Sequence, residues 1–131
     1  MNQVLSITKA LSDGNRLRIL MALSAHSELC ACQITELLAI TGATVSRHLS
    51  ILTHAGLVSN RKDGRWINFR LAERPDLAPL LSWLKANLEP TEQTRSDRTA
   101  LSAIVAKDPE DICRKQRGDA CCPVKPAQQK P

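Results

Sequence analysis

Leucine, isoleucine and valine recur every three to four positions in the N-terminal part of the chain, which is the spacing of one apolar face of an α-helix. This pattern predicts helices over residues 4–11, 17–24 and 34–38. Asp13 is a candidate N-cap for the second helix, because its carboxylate can accept hydrogen bonds from the first backbone N–H groups. The N-terminal part of the chain is therefore predicted to be helical.

A fourth helix is predicted after a break at residues 40–42. Thr41 is its candidate N-cap, and the helical pattern continues to about His54. Gly56 follows at the position where glycine commonly ends a helix. The third and fourth helices, joined by a tight turn, predict a helix-turn-helix.

The periodicity changes from helix to strand after this point. Residues 57–62 and 65–71 are two strand-like runs, and the Asp63-Gly64 pair between them is among the strongest hairpin signals in a sequence. A hairpin directly after a helix-turn-helix is typical of its winged form. The predicted fold is mainly α with a small β-hairpin (α+β), a winged helix-turn-helix of about five helices.

The pattern weakens towards the C-terminus. A helix restarts at Pro75 with a stripe of leucines, but residues 89–98 are polar and patternless. Residues 101–105 offer one or two further helical turns, and four of the seven prolines lie beyond them. The sequence predicts a winged helix-turn-helix domain for DNA binding and dimerisation over residues 1–88, followed by a linker and a flexible, cysteine-containing tail over residues 89–131.

Positive charge is concentrated in the part predicted to form the helix-turn-helix and hairpin. The net charge is +5; up to Ala72 the chain has 8 Lys and Arg against 4 Asp and Glu, and the remainder has 10 against 9. A module that contacts phosphates is expected to carry such an excess, although solvated basic faces are common. No apolar run approaches the roughly 20 residues that span a bilayer, and the N-terminus has no signal pattern. The sequence thus predicts a cytoplasmic protein with no membrane partner.

The fourth predicted helix has an apolar and a polar face. Val45, Leu49 and Leu52 fall within one narrow sector at about 100° per residue, and this sector is expected to pack on the core. The other positions carry small or hydrogen-bonding groups near the helix N-terminus, the end that enters the major groove, and basic residues crowd the hairpin tip. The predicted DNA-binding residues are Thr44, Ser46, Arg47, His48 and Ser50 on the helix and Arg61, Lys62 and Arg65 on the hairpin.

Four stretches within residues 10–71 resemble the ArsR (ArsR/SmtB) family of metal-responsive repressors. They read ALSDGNRLRILMAL, ELCACQITELL, TVSRHLSILTHAGLV and RKDGRWINFRL. The resemblance implies a homodimer joined through the first and last helices, with the fourth helix of each subunit in the major groove of double-stranded operator DNA. A two-fold dimer of this kind is expected to need an inverted repeat. The chain departs from the family pattern at Gly42-Ala43, where many members have Gln-Pro or Gln-Ser.

The stretch Glu-Leu-Cys-Ala-Cys at residues 28–32 resembles the ELCVC motif of family members that sense arsenite, antimonite, cadmium or lead. The arsenite-sensing version has a third cysteine three residues on, where this chain has Thr35. On a regular helix Cys30 and Cys32 would point about 200° apart. They can share one ion only if Cys30 lies before the helix or if the helix start is distorted, and both alternatives are open.

Three further cysteines lie beside basic residues in the predicted tail. Trivalent arsenic favours three sulfur ligands, and a hydroxyl is a poor substitute for a soft thiolate. Tail cysteines form inducer sites in some ArsR-like repressors, so the resemblance implies that the tail completes the site; an adventitious metal-binding tail and cysteines without a role are the alternatives. The candidate metal ligands are Cys30, Cys32, Cys113, Cys121 and Cys122.

These observations favour a repressor that releases its operator when As(III) or Sb(III) binds cysteine thiolates, with no organic cofactor. A dithiol switch for oxidants or persulfides is one alternative, and a thiol-rich metalloid-binding protein without a regulatory role is another. Some relatives bind zinc or nickel through histidine on the last helix, but residues 76–88 contain none. An enzyme is not expected, because no histidine partner of the cysteines, carboxylate pair or phosphate loop is visible.

Overall fold

A computed structural model describes residues 1–64 and 66–117 of the chain. This part contains seven α-helices, a three-stranded antiparallel sheet and a short 3-10 turn at Pro75–Leu77. Numbered in chain order, the helices are α1 Asn2–Ala10, α2 Gly14–Ala25, α3 Ala31–Leu38, α4 Gly42–His54, α5 Ala78–Leu88, α6 Glu92–Val105 and α7 Pro109–Arg117. The strands are β1 Leu29–Cys30, β2 Val58–Asp63 and β3 Trp66–Leu71.

The N-caps predicted for the second and fourth helices are confirmed by their hydrogen bonds. The Asp13 carboxylate accepts from the backbone N–H groups of Asn15 at 2.8 Å and Arg16 at 3.2 Å, so it caps α2. Thr41 Oγ1 accepts from the backbone N–H of Thr44 at 3.3 Å and caps α4. Gly56 follows α4 with a φ of +80°, a conformation that costs glycine little.

The hairpin is confirmed, and the sheet contains one strand more than the sequence predicts. The strand order is β1-β3-β2, and β2 and β3 pair from Val58 opposite Leu71 to Asp63 opposite Trp66. β1 pairs with β3, with Cys30 opposite Asn68. The sheet therefore joins the segment that carries the first cysteine directly to the wing, which we define as residues 58–71.

One continuous apolar core lies under the helix-turn-helix and one face of the sheet. The predicted apolar sector of α4 is part of this core, since Val45, Leu49 and Leu52 are all buried. Within the described residues, no helix has both the length and the apolar character needed to cross a membrane.

The prediction of a linker and flexible tail from residue 89 is wrong for residues 92–105 and 109–117, which form α6 and α7; the further helical turns expected over residues 101–105 are the end of α6. α6 packs against α2 and α3, and α7 packs against α3. Both helices have mostly polar sequences. Each buries only a few apolar side chains, such as Leu101 and Ile104 of α6 and Ile112 of α7. So few apolar positions give little periodic signal. The rest of the predicted tail, residues 118–131, lies outside the described residues.

A fork of hydrogen bonds between Arg18 and Asp97 fixes α6 to α2. Arg18 Nε donates to Asp97 Oδ2 at 2.9 Å and Nη2 donates to Oδ1 at 3.0 Å. Arg18 Nη2 also donates to the Leu37 carbonyl at 3.3 Å, which brings α3 into the same contact. Both charged side chains are mostly buried, with 22% and 15% of their surface exposed. The pair therefore connects α6 to two helices of the domain.

Replacing Asp97 with alanine is expected to lower the free energy of unfolding by about 2 kcal/mol, because hydrogen bonds between charged groups contribute about 1.5–3 kcal/mol and Arg18 would keep a buried charge. Urea denaturation followed by circular dichroism measures this difference. Glu89→Ala is the matched control, since the contact of the Glu89 side chain within residues 1–64 and 66–117 is an exposed ion pair with Arg98 at 3.6 Å. Equal losses for both variants would contradict a structural role for the Arg18–Asp97 pair.

Candidate DNA-binding surface and thiol site

The first turns of α4 carry polar side chains on the surface of the molecule. Ser46, Arg47 and Ser50 are exposed. Thr44 is half-buried, and its hydroxyl lies 2.8 Å from the hydroxyl of Thr41, the residue that caps the helix. The structure thus places these four predicted residues together on the outer side of α4. Hydroxyl groups and one guanidinium at a helix N-terminus are suited to contacts with base edges and phosphates.

The structure does not place His48 on this surface, which corrects the prediction that it contacts DNA. Only 6% of His48 is exposed, and its Nδ1 lies 3.1 Å from Nη1 of Arg16 on α2. Arg16 Nε also donates to the carbonyl of Ala10 at 2.8 Å. The helical geometry explains the burial, because at about 100° per residue His48 lies only about 40° from Leu52, beside the apolar sector. His48 therefore connects α4 to α2 inside the molecule.

On the wing, Arg61 is engaged by an acidic residue of the same chain. Its Nε and Nη2 donate to the two carboxylate oxygens of Glu28, each at 2.8 Å, and its Nη1 lies 3.6 Å from Asp63 Oδ2. The hydrogen bonds from Arg61 lower the pKa of Glu28, and the same bonds raise the pKa of Arg61. Lys62 is exposed, and Arg65 lies outside the described residues. The wing thus presents at least one basic side chain that already has an acidic partner.

Cys30 lies before α3 rather than on it, which is the first of the two alternatives left open by the sequence. It occupies the N-cap of α3 in an extended conformation, and it is buried. Its backbone N–H donates to Gln33 Oε1 at 2.9 Å, in the arrangement of a capping box. The divergence of about 200° expected for two cysteines on one helix therefore does not apply to Cys30 and Cys32.

Cys32, in the first turn of α3, is joined to Cys113 of α7 by a disulfide, with the two Cα atoms 5.5 Å apart. Gln116 of α7 adds two contacts, because its Nε2 donates to the Cys32 carbonyl at 2.9 Å and lies 3.1 Å from Glu36 Oε1. Lys115 Nζ lies 3.6 Å from the Glu36 carboxylate. One tail cysteine is thereby brought to the cysteine motif across 81 positions of the sequence.

The start of α7 carries a recognisable sequence signal, although the helix was not predicted. Asp108 precedes Pro109, and Asp108 Oδ1 accepts from the backbone N–H of Glu110 at 3.0 Å. An aspartate followed by proline and acidic residues is typical of a helix N-terminus. The adjacent apolar residues Ile112 and Cys113, both buried, mark the side of the helix that packs on α3.

A cleft of about 490 Å³ lies beside this disulfide. Its lining includes Cys32 and Thr35 of α3, Ser46 of α4, Phe69 of β3 and Gln116 of α7. No group of three or more His, Cys, Asp or Glu side chains that could hold a metal ion lies within residues 1–64 and 66–117. Two of the predicted metal ligands, Cys121 and Cys122, lie outside the described residues. The cleft therefore adjoins both the cysteine pair and the helix with the exposed polar face.

Comparisons with known proteins agree with this architecture. The family model described as bacterial regulatory protein, arsR family, matches residues 13–60. The arsenic resistance transcriptional regulator ArsR2 of Pseudomonas putida is 32% identical over 88% of this chain and 95% of its own length. The arsenical resistance operon repressor of Escherichia coli is 29% identical over 89% of this chain and 94% of its own length.

The fold is also similar to that of a solved structure. The homodimeric winged helix-turn-helix DNA-binding domain of Mb0332 from Mycobacterium bovis, a possible ArsR-family transcriptional regulator, is 31% identical with a TM-score of 0.59. The match covers 67% of this chain and 80% of that one. Because full-length relatives align over most of the sequence and the family model covers the helix-turn-helix, the chain belongs to the ArsR family of winged helix-turn-helix transcriptional regulators rather than to a class of enzymes.

Proposed function

We propose that the chain is a homodimeric repressor that binds operator DNA through α4 and the wing and releases it when trivalent arsenic or antimony binds cysteine thiolates. The observation that carries this proposal is the position of α3. This helix holds Cys32, is linked to Cys113 of α7 and packs against α4. A ligand that moves α3 would therefore act on the helix that enters the DNA.

The DNA-binding part of the proposal is supported by the outer face of α4. Arg47 is the strongest candidate for a base or phosphate contact there, because a guanidinium can donate two parallel hydrogen bonds to guanine or to a phosphate. Ser46 and Ser50 are exposed on the same helix, and Lys62 is exposed on the wing. Two copies of this surface in a two-fold dimer would read the two halves of an inverted repeat.

Dimerisation is supported by apolar side chains that the single chain leaves exposed. On α1, 62% of Val4 and 47% of Leu5 are exposed, and on α5, 61% of Trp83 is exposed. Contiguous exposed apolar patches commonly mark protein interfaces, and a second copy packed on these side chains would remove their apolar surface from water. We propose that α1 and α5 form the dimer interface, in agreement with the homodimeric state of the Mycobacterium bovis relative.

The thiol part of the proposal is supported by the close approach of Cys32 on α3 to Cys113 on α7. In the reduced protein, two thiolates with Cα atoms 5.5 Å apart can bind one arsenic atom. Cys30, at the N-cap of the same helix, is the third ligand that we propose. Because the described residues hold no assembled group of three such side chains, arsenic would have to draw Cys30 towards Cys32 and Cys113 as it binds. The names of the Pseudomonas putida and Escherichia coli relatives place them in arsenic resistance, which supports a metalloid as the inducer.

A titration of the complex between the reduced protein and its own promoter tests the inducer class. Arsenite or antimonite is expected to release the DNA at a concentration at least about tenfold below that needed with zinc, because soft thiolates prefer the metalloids and residues 76–88 contain no histidine to bind zinc. Gel shifts with arsenite, antimonite, cadmium, zinc and peroxide added separately measure the release. Release by cadmium alone, or by none of these, would contradict a metalloid inducer.

A second candidate function, a redox switch, is favoured by the disulfide between Cys32 and Cys113. Peroxide would oxidise one thiol to a sulfenic acid with release of one water molecule, and the other thiol would then form the disulfide with release of a second. Release of DNA by peroxide, reversed by a dithiol reductant and absent with arsenite, would assign this function in place of metalloid sensing.

A further inference from the structure

The contact between Glu28 and Arg61 joins the start of the cysteine motif to the wing. Both carboxylate oxygens of Glu28 accept from the guanidinium at 2.8 Å, so the contact is bidentate. It lies at the surface, where 48% of the Arg61 side chain and 24% of the Glu28 side chain are exposed. DNA docked on the wing could therefore reach this guanidinium.

A carboxylate in this geometry offers a guanidinium the same two acceptors as a DNA phosphate. Arginine binds either group with two parallel N–H bonds, and the same N–H groups cannot serve both in full. The third nitrogen of Arg61 faces a second acidic group, Asp63, at 3.6 Å. While these contacts persist, Arg61 contributes little net positive charge to the wing. An exposed ion pair is also weak enough to be exchanged for another partner.

We propose that Glu28 limits the affinity of the wing for DNA by competing with phosphate for Arg61. The inference rests on the proposed binding of DNA through α4 and the wing, and it adds a residue that sets the strength of that binding. Glu28 is thus a positioning residue that acts through Arg61.

The position of Glu28 also connects this competition to the cysteines. Glu28 directly precedes β1, and the pairing of β1 with β3 and of β3 with β2 aligns Cys30, Asn68 and Arg61 in one row across the sheet. A change in the backbone at Cys30 would therefore alter the distance between the Glu28 carboxylate and the Arg61 guanidinium. Ligand binding at the thiol site could thereby change the net charge of the wing as well as the position of α4.

Replacing Glu28 with glutamine tests the proposal. The Glu28→Gln variant is expected to bind both an operator duplex and a scrambled duplex about 3- to 10-fold more tightly at low salt. The slope of log affinity against log salt concentration should steepen by about 0.9, the value for one added phosphate contact. Fluorescence anisotropy with labelled duplexes between about 50 and 300 mM salt measures both quantities.

The same substitution in an Arg61→Ala background is the control. There Glu28→Gln is expected to change neither the affinity nor the slope, whereas a carboxylate that simply repels DNA would give the same gain in both backgrounds. A persistent gain, or an unchanged slope in the first experiment, would overturn the proposal. If the unsubstituted protein binds neither duplex, the proposed DNA-binding function fails; if it binds and Glu28→Gln changes nothing, only the competition by Glu28 fails.

Discussion

Replacing Cys113 with serine is expected to leave operator binding intact and to raise the arsenite concentration that releases half of the DNA by at least about tenfold. The reason is that serine offers arsenic a hard hydroxyl in place of a soft thiolate, while α7 lies outside the polar face of α4. Cys32→Ser is expected to have the same effect. Anisotropy titrations of the preformed complex measure the release.

Two truncations distinguish Cys113 from the last two cysteines. A chain ending at residue 117 keeps α7 and should retain the full arsenite response with three sulfur neighbours by X-ray absorption. A chain ending at residue 107 loses α7, and its sulfur coordination should fall to two. A lost response in the longer truncation would contradict our assignment and identify Cys121 or Cys122 as a required ligand. An unchanged response in the shorter truncation would show that Cys113 is not a ligand.

Replacing Arg47 with alanine is expected to cost about 1–3 kcal/mol of operator binding, because one bidentate contact to a base contributes about that much. Since the lost contact is to a base, affinity for a scrambled duplex should fall much less. Fluorescence anisotropy with both duplexes measures the ratio of operator affinity to scrambled-duplex affinity. Arg47→Lys retains the charge but not the planar fork, and should therefore recover the scrambled but not the operator affinity. Equal losses on both duplexes would instead indicate a phosphate contact.

His48→Ala is the matched comparison on the same helix. Its side chain is buried and contacts Arg16, so the substitution should lower the melting temperature, while below that temperature the ratio of operator to scrambled affinity should persist. A lost ratio in the folded variant would show that His48 reaches DNA in the complex.

The elements that could be predicted from the sequence are those fixed by neighbouring residues. The caps at Asp13 and Thr41 and the Asp63-Gly64 hairpin depend on side chains within three or four positions of the backbone they control. β1 could not be predicted, because two residues are too short to show a period and the strand exists only through its pairing with β3. α6 was predicted only over its end, residues 101–105, because the first part of the helix has few apolar positions.

In the candidate site, too, features set by neighbouring residues could be predicted, whereas contacts between residues far apart in the sequence could not. Which positions of α4 are apolar could be predicted from spacing, but the burial of His48 depends on its contact with Arg16, 32 positions away. The engagement of Arg61 by Glu28 spans 33 positions, and that of Cys32 by Cys113 spans 81. The residue types alone show that these side chains could bind DNA or a metalloid. Which partners they contact depends on the packing of the whole chain.

The two tryptophans stand at the two surfaces that we propose for DNA binding and for dimerisation. Trp66 lies at the tip of the wing, opposite Asp63, and Trp83 is exposed on α5. The sequence contains two tryptophans and no tyrosine, so ultraviolet emission excited at long wavelength comes from these two indoles. A Trp83→Phe chain would emit only from the wing and a Trp66→Phe chain only from α5. The protein thus carries one built-in optical reporter on the proposed DNA-binding wing and a separate one on the proposed dimer interface.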